Sequence, residues 1–311
     1  MGAPYAAGFV ELKHFHLGDS APLPACAWYP SSSAEPAERA GRPLSGYGRV
    51  FAARARVGAA FLDGPSEAPL VLLLHGLRGS RLDLSWLGER LAAAGCLAVA
   101  FDQPQVAHAS FDAAVAPRVW QRAAAVPSAL DWILRHGILR SLVRPTGVWL
   151  VGHSAGASAA LAAAGARVSP ARFAARYPDS GPPPAAAGGV DGRIGAVFGL
   201  APGTGEVFDD AGLAPVRAPV WLASGTHDRH CPDHRNAAAY ARALPDCTWQ
   251  SIAGAGHFTF KPSCSWYGRL RAPGLCWDRP GVRRRRVHDQ VAAGMLAFAR
   301  QRGLWAPAGP E

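Results

Sequence analysis

Lysine is nearly absent from this chain of 311 residues: it occurs only at Lys13 and Lys261, so the formal charge of +10 rests on arginine. Charged residues of every kind make up only 17%, against 49% hydrophobic. That balance excludes a disordered chain, which needs low hydrophobicity and high charge. Long apolar runs are missing too. Runs such as Leu70–Leu74 have the size of a strand and not of a membrane span. No internal repeat is present, which excludes solenoids and propellers. No cysteine spacing matches a zinc motif. Met1 to Gly8 show neither a basic n-region nor an apolar h-region. The expectation is therefore a cytoplasmic protein or a mature form whose leader has been removed.

What is present points to one large α/β domain over residues 1–311, a length short for two enzyme domains. Alanine, glycine and proline are abundant, and with arginine they fit a GC-rich coding bias. The pI of about 9.9 raises nucleic acid as a partner. The one dense basic cluster is Arg283–Arg286. A solvated face or an acidic partner surface explains it about as well as DNA does, and no nucleic-acid partner is expected. Of six cysteines, Cys96 opens an apolar strand pattern and reads as core. Cys264 and Cys276 flank a short loop rich in Trp, Pro and Gly. A disulfide there would imply an oxidising compartment; two unpaired buried thiols are the alternative.

Periodicity predicts strands at Phe9–Leu17 and Ala25–Tyr29, then a Ser/Pro/Gly-rich loop, Pro30–Gly48. Arg49–Leu62 stays unassigned, because its alanines weaken an alternating pattern. From Pro69 onward the order is regular. Strands are expected at Leu70–Leu74, Cys96–Phe101, Gly147–Val151, Ile194–Leu200, Val220–Ala223 and Thr248–Ile252. Helices are expected at Asp83–Ala94, Pro117–His136, Ala155–Ala164, Asp233–Leu244 and Val287–Gln301, with Pro127 kinking or splitting the second. Such alternation argues for a mostly parallel central sheet with helices on both faces. Residues 165–193, which include the low-complexity stretch Pro178–Gly189, read as a surface loop or small lid, and 258–286 as a loop insertion.

Gly152-His153-Ser154-Ala155-Gly156 matches G-x-S-x-G between an apolar strand and a helix of small residues. That context suits a nucleophile on a sharp turn, with glycines allowing close backbone packing and the helix start facing the reaction centre. His257, in Gly254-Ala255-Gly256-His257-Phe258 after the last strand, is the candidate general base. Asp228, after the strand Val220–Ala223, is the candidate acid that orients it; Asp209 and Asp210 are the runners-up. The order Ser154…Asp228…His257 is that of α/β hydrolases. The turn His75-Gly76-Leu77 follows a strand, so the backbone N–H groups of Leu77 and Ala155 are the expected oxyanion hole, with His75 a turn-stabilising residue. Phe111, Phe173, Phe208, Phe258 and Trp266 are candidates for the pocket wall or the core. No cofactor or metal is expected.

At this point the chain resembles a known family. Leu74-His75-Gly76-Leu77-Arg78-Gly79-Ser80, Gly152-His153-Ser154-Ala155-Gly156, Gly225-Thr226-His227-Asp228 and Gly254-Ala255-Gly256-His257-Phe258 look like bacterial dienelactone-hydrolase-like proteins, relatives of the platelet-activating-factor acetylhydrolases. The likeness extends from Ala27-Trp28-Tyr29-Pro30 to Cys264…Cys276-Trp277-Asp278. It implies an α/β-hydrolase fold and a serine esterase acting on a small ester, an acetylated or oxidised lipid, or a polyester. Two departures matter. Dienelactone hydrolases proper use cysteine where this chain has Ser154. The acetylhydrolases place their acid soon after the strand following the nucleophile, where Leu200-Ala201-Pro202 offers no carboxylate. A peptidase or amidase is the nearest rival, and a non-catalytic binding protein on a hydrolase scaffold is the rival of another class.

Overall fold

A computed structural model describes residues 5–32, 42–43, 46–47, 49–61, 67–184 and 190–306. The strands are β1 (Tyr5–Leu12), β2 (Ala25–Ser32), β3 (Arg42–Pro43), β4 (Arg56–Val57), β5 (Leu70–Leu74), β6 (Leu97–Phe101), β7 (Val148–His153), β8 (Ile194–Leu200), β9 (Val220–Gly225) and β10 (Cys247–Ile252). They form one ten-stranded sheet in the order β10-β9-β8-β7-β5-β6-β2-β1-β4-β3. From β10 to β6 every pairing is parallel; β2 then joins β6 antiparallel and pairs with β1 in the same sense.

The helices are α1 (Ser85–Ala93), α2 (Val119–Arg135), α3 (Gly137–Ser141), α4 (Ala155–Ala163), α5 (Pro170–Arg176), α6 (Asp210–Leu213), α7 (Ala237–Ala243), α8 (Trp266–Arg271), α9 (Pro273–Cys276) and α10 (Arg284–Gln301). Both faces of the sheet are covered. Leu70, Leu72 and Leu74 of β5 enter one apolar cluster with residues of α2 and α4, while Val71 and Leu73 enter the other with residues of α1 and α10. A continuous apolar run is what a strand buried on two sides requires. Among the described residues no helix is long and apolar enough to cross a membrane.

The expected strand Phe9–Leu17 is cut short. β1 starts at Tyr5 and stops at Leu12; His14 takes a positive φ of 60°, and the turn drives Phe15 into the core between Phe101 and Trp132. The apolar signal at Phe15 was real, but it belongs to a turn. Pro127 does not split α2, which runs unbroken from Val119 to Arg135. One missing N–H is a small loss beside the buried face of Val126, Ala129, Leu130 and Ile133. The predicted helix Asp233–Leu244 separates into a 3-10 turn, Asp233–Arg235, and α7, because Asn236 leaves helical geometry at φ −126° and ψ −97°. The expected loop Pro30–Gly48 is β2 to Ser32, then β3; residues 33–41, 44–45 and 48 lie outside the described set. Residues 185–189 of the expected loop or lid also lie outside it, while α5 packs Phe173 into the core.

The topology fixes where a site can form. The chain leaves β5 for β6 on one side and returns to β7 on the other. The carboxyl ends of β5 and β7 therefore flank a switch point, the crevice where open α/β sheets take ligands.

Candidate active site

Ser154 stands at that crevice, between β7 and α4, at φ 56° and ψ −127°. A non-glycine residue there is strained, by about 1–3 kcal/mol, and persists only because its surroundings enforce it. The neighbouring glycines explain how. A Cβ at Gly152 would strike the backbone of Gly156 and Ala157, and one at Gly156 would strike the Leu74 carbonyl. Strand and helix thus touch through backbone alone. The Ser154 N–H is held by the Leu200 carbonyl at 2.9 Å, which anchors the turn to the end of β8.

The structure brings Ser154, His257 and Asp228 together across 103 and 29 residues of chain. The Ser154 hydroxyl lies 3.0 Å from His257 Nε2, and His257 Nδ1 lies 2.7 Å from Asp228 Oδ2. An ionised carboxylate only accepts, so Nδ1 carries the proton and Nε2 is the acceptor for the serine hydroxyl. Asp228 Oδ1 accepts from the backbone N–H groups of His230 and Cys231 at 2.9 and 2.7 Å, which fixes the carboxylate's plane. Asp228 and His257 are both buried. The runners-up are elsewhere: Asp209 caps α6, accepting from Gly212 N at 2.8 Å, and Asp210 begins that helix.

The turn after β5 abuts the serine, for a Cβ at Gly76 would lie 3.2 Å from Ser154 Cβ. Among the described residues, neither the Leu77 nor the Ala155 backbone N–H has an acceptor. His75 is fully engaged: its Nδ1 donates to the Gly76 carbonyl at 2.7 Å, and its Nε2 accepts from Gln103 N at 2.9 Å. Burial first, and Arg122 second, push its pKa down to about 3, so it is neutral. Arg122, itself buried, donates to Gln103 Oε1 at 2.9 Å and to the His75 carbonyl; burial lowers its pKa to about 9. This network stiffens the turn from behind.

Three further groups at the site were not selected from the sequence. His153 is buried, donates from Nε2 to the His257 carbonyl at 3.1 Å and packs its ring 4.8 Å from the His257 ring. Burial, then His257, holds its pKa well below the usual imidazole range. Cys231 is buried beside the serine turn: a Cβ at Gly203 would meet its Sγ at 3.0 Å and Ala155 N at 3.3 Å. Burial and Asp228 push that thiol up to about 12. Exposed His230 sets its ring 5.1 Å from that of His257. The run His227-Asp228-Arg229-His230-Cys231 is a dense set of ligating side chains, the one sequence signal that points to His230 and Cys231.

A cleft of about 190 Å³ opens beside His257, lined also by His227, His230, Phe258 and Trp277. Of the aromatic candidates, Phe258 lines this cleft, Phe173 and Phe208 are core, Phe111 stacks under Arg78 at 3.9 Å, and Trp266 is 75% exposed on α8. A larger groove of about 740 Å³ shares Trp277, Asp278 and Arg279 with the cleft and takes in Arg283–Arg286. Arg284 is buried and pairs with Asp278 at 2.8 Å, while Arg283, Arg285 and Arg286 are exposed. The Cys264–Cys276 disulfide lines the larger groove. No protein-family model and no curated protein matches this chain.

Proposed function

We propose that this chain is a serine hydrolase of the α/β-hydrolase fold that cleaves carboxylic esters through an acyl-enzyme. The observation that carries the reading is the hydrogen-bond path from Asp228 Oδ2 through His257 to Ser154 Oγ, at 2.7 and 3.0 Å, ending on a serine at φ 56°. In this reading His257 Nε2 takes the hydroxyl proton as Ser154 Oγ attacks the acyl carbon. Asp228 holds the Nδ1–H tautomer and stabilises the imidazolium. The N–H groups of Leu77 and Ala155 receive the developing oxyanion, and their lack of other acceptors suits that task. His257 then passes the proton to the leaving alcohol, and water, activated by the same nitrogen, releases the acid.

The resemblance to dienelactone-hydrolase-like proteins and to platelet-activating-factor acetylhydrolases supports the ester class without choosing the acyl group. A fluorophosphonate probe is expected to label Ser154, and Ser154→Ala to lose both the label and the turnover of p-nitrophenyl esters. Full activity in that variant would sink the assignment. Matched ester and anilide substrates separate esterase from amidase, and no labelling or turnover at all would leave a binding protein.

A further inference from the structure

The loop that supplies Asp228 is richer in ligating side chains than a hydrogen-bonded acid requires. His227, Asp228, His230 and Cys231 fall within five consecutive residues, and His257 packs against them. Asp228, Cys231 and His257 each present one ligand atom, and these atoms lie within 4.8 Å of one another. All three residues are buried, so the atoms are held in place by the fold. His227 and His230 line the cleft of about 190 Å³ beside His257, together with Arg229, Asp278 and Arg279. Cys231 has no task in the ester chemistry proposed above.

We propose that Asp228, Cys231 and His257 form an inhibitory site for a thiophilic divalent cation, with Zn²⁺ the best match. The inference rests on the serine-hydrolase reading for its consequence, but not for the site itself. A mixed sulfur, nitrogen and oxygen donor set suits Zn²⁺, whereas Ca²⁺ and Mg²⁺ demand oxygen alone. The alkaline-earth ions therefore have little purchase here. On binding, the Cys231 thiol loses its proton to solvent and the thiolate becomes a ligand. A cation held by these residues takes lone pairs that the Asp228–His257–Ser154 path uses. His257 can then no longer accept the serine proton, so occupancy and turnover exclude each other.

The donor set also sets the selectivity, because sulfur and imidazole together favour borderline-soft cations over hard ones. Binding is expected to be selective for Zn²⁺ and its close chemical relatives, and reversible by a chelator.

The test uses ZnCl₂ in metal-free buffer, with each protein referred to its own zinc-free rate on a p-nitrophenyl ester. Zinc should silence the wild-type chain and EDTA should restore it. Cys231→Ser should raise the zinc concentration needed by about tenfold or more. A second readout needs no activity. Cobalt(II), used in place of zinc, should give the Ser154→Ala chain a thiolate-to-metal charge-transfer absorption. That band should vanish when Cys231→Ser is added and persist with Cys247→Ser. Equal zinc sensitivity with and without Cys231, or no charge-transfer band, overturns the site. Absence of ester hydrolysis in the wild type would instead count against the esterase reading, and the cobalt spectrum would still decide the site.

Discussion

Ser154 and Asp228 depend on backbone neighbours more than on each other. The serine owes its left-handed turn to glycines that let β7, α4 and the end of β5 touch. Asp228 owes its orientation to the N–H groups of His230 and Cys231. Asp228→Asn keeps the size of the side chain but offers an amide N–H₂ or a weaker oxygen to His257 Nδ1. The wrong tautomer is then favoured, and ester turnover should fall by about 10³- to 10⁴-fold. Asp209→Asn should lose only a weak helix cap and stay near wild type. The reverse result, measured as kcat on the same ester, would move the acid to the earlier loop. Ser154, Asp228 and His257 were legible because strand ends and chain order select them from many candidates. His153 and the Arg122–Gln103–His75 network were not, for nothing local in the sequence says which buried side chains meet across 19 to 104 residues.

At the scale of elements, the parallel strands were readable because burial on both faces leaves an unbroken apolar run. The segment from His257 to Arg284 was not, because it is held by particular pairs and not by periodicity. Lys261, one of only two lysines, forms a buried ion pair with Asp83 at 2.5 Å. Thr259 donates to Asp278 at 2.7 Å, and Asp278 in turn takes Arg284 at 2.8 Å. His288 of α10 stacks on Trp86 of α1 at 3.9 Å and donates to the Thr259 and Lys261 carbonyls at 3.0 Å. The Cys264–Cys276 bridge closes a loop with a sequence separation of 12. Closing so short a loop is worth about 3 kcal/mol in the chain-entropy model. Cys264→Ser with Cys276→Ser should therefore lower stability by about that much, read from denaturant melts. Activity should fall less than stability at temperatures where the variant stays folded, since Lys261 and Asp278 still anchor the His257 turn. An unchanged melting midpoint would show that the bridge closes a loop already fixed by these pairs.

For the whole molecule, the basic charge and the buried histidines pull stability the same way as pH falls. The chain already carries +10 with its histidines neutral, and each proton added to the folded state raises that repulsion. His75 and His288 are kept neutral in the fold, with pKa values pushed down to about 3 by burial and then by Arg122 and Arg90 respectively. In the unfolded chain each returns to about 6.5. Between those values the unfolded state binds protons that the folded state refuses, so unfolding becomes easier as the pH drops. Stability is whole above about pH 6.5 and declines from there towards pH 3, with a slope near 1.4 kcal/mol per pH unit for each histidine. His288→Gln removes one of these groups, His153 being a third whose pKa burial holds down. Its amide can still donate to the carbonyls of Thr259 and Lys261, though the stack on Trp86 is lost. Urea melts at pH 7.5, 6.5, 5.5 and 4.5 (all about these values) should show the wild type losing stability steeply. The variant should start lower and fall with a shallower slope. Parallel curves for the two proteins would mean that His288 takes up its proton in the fold, against the burial and the cationic neighbours that surround it.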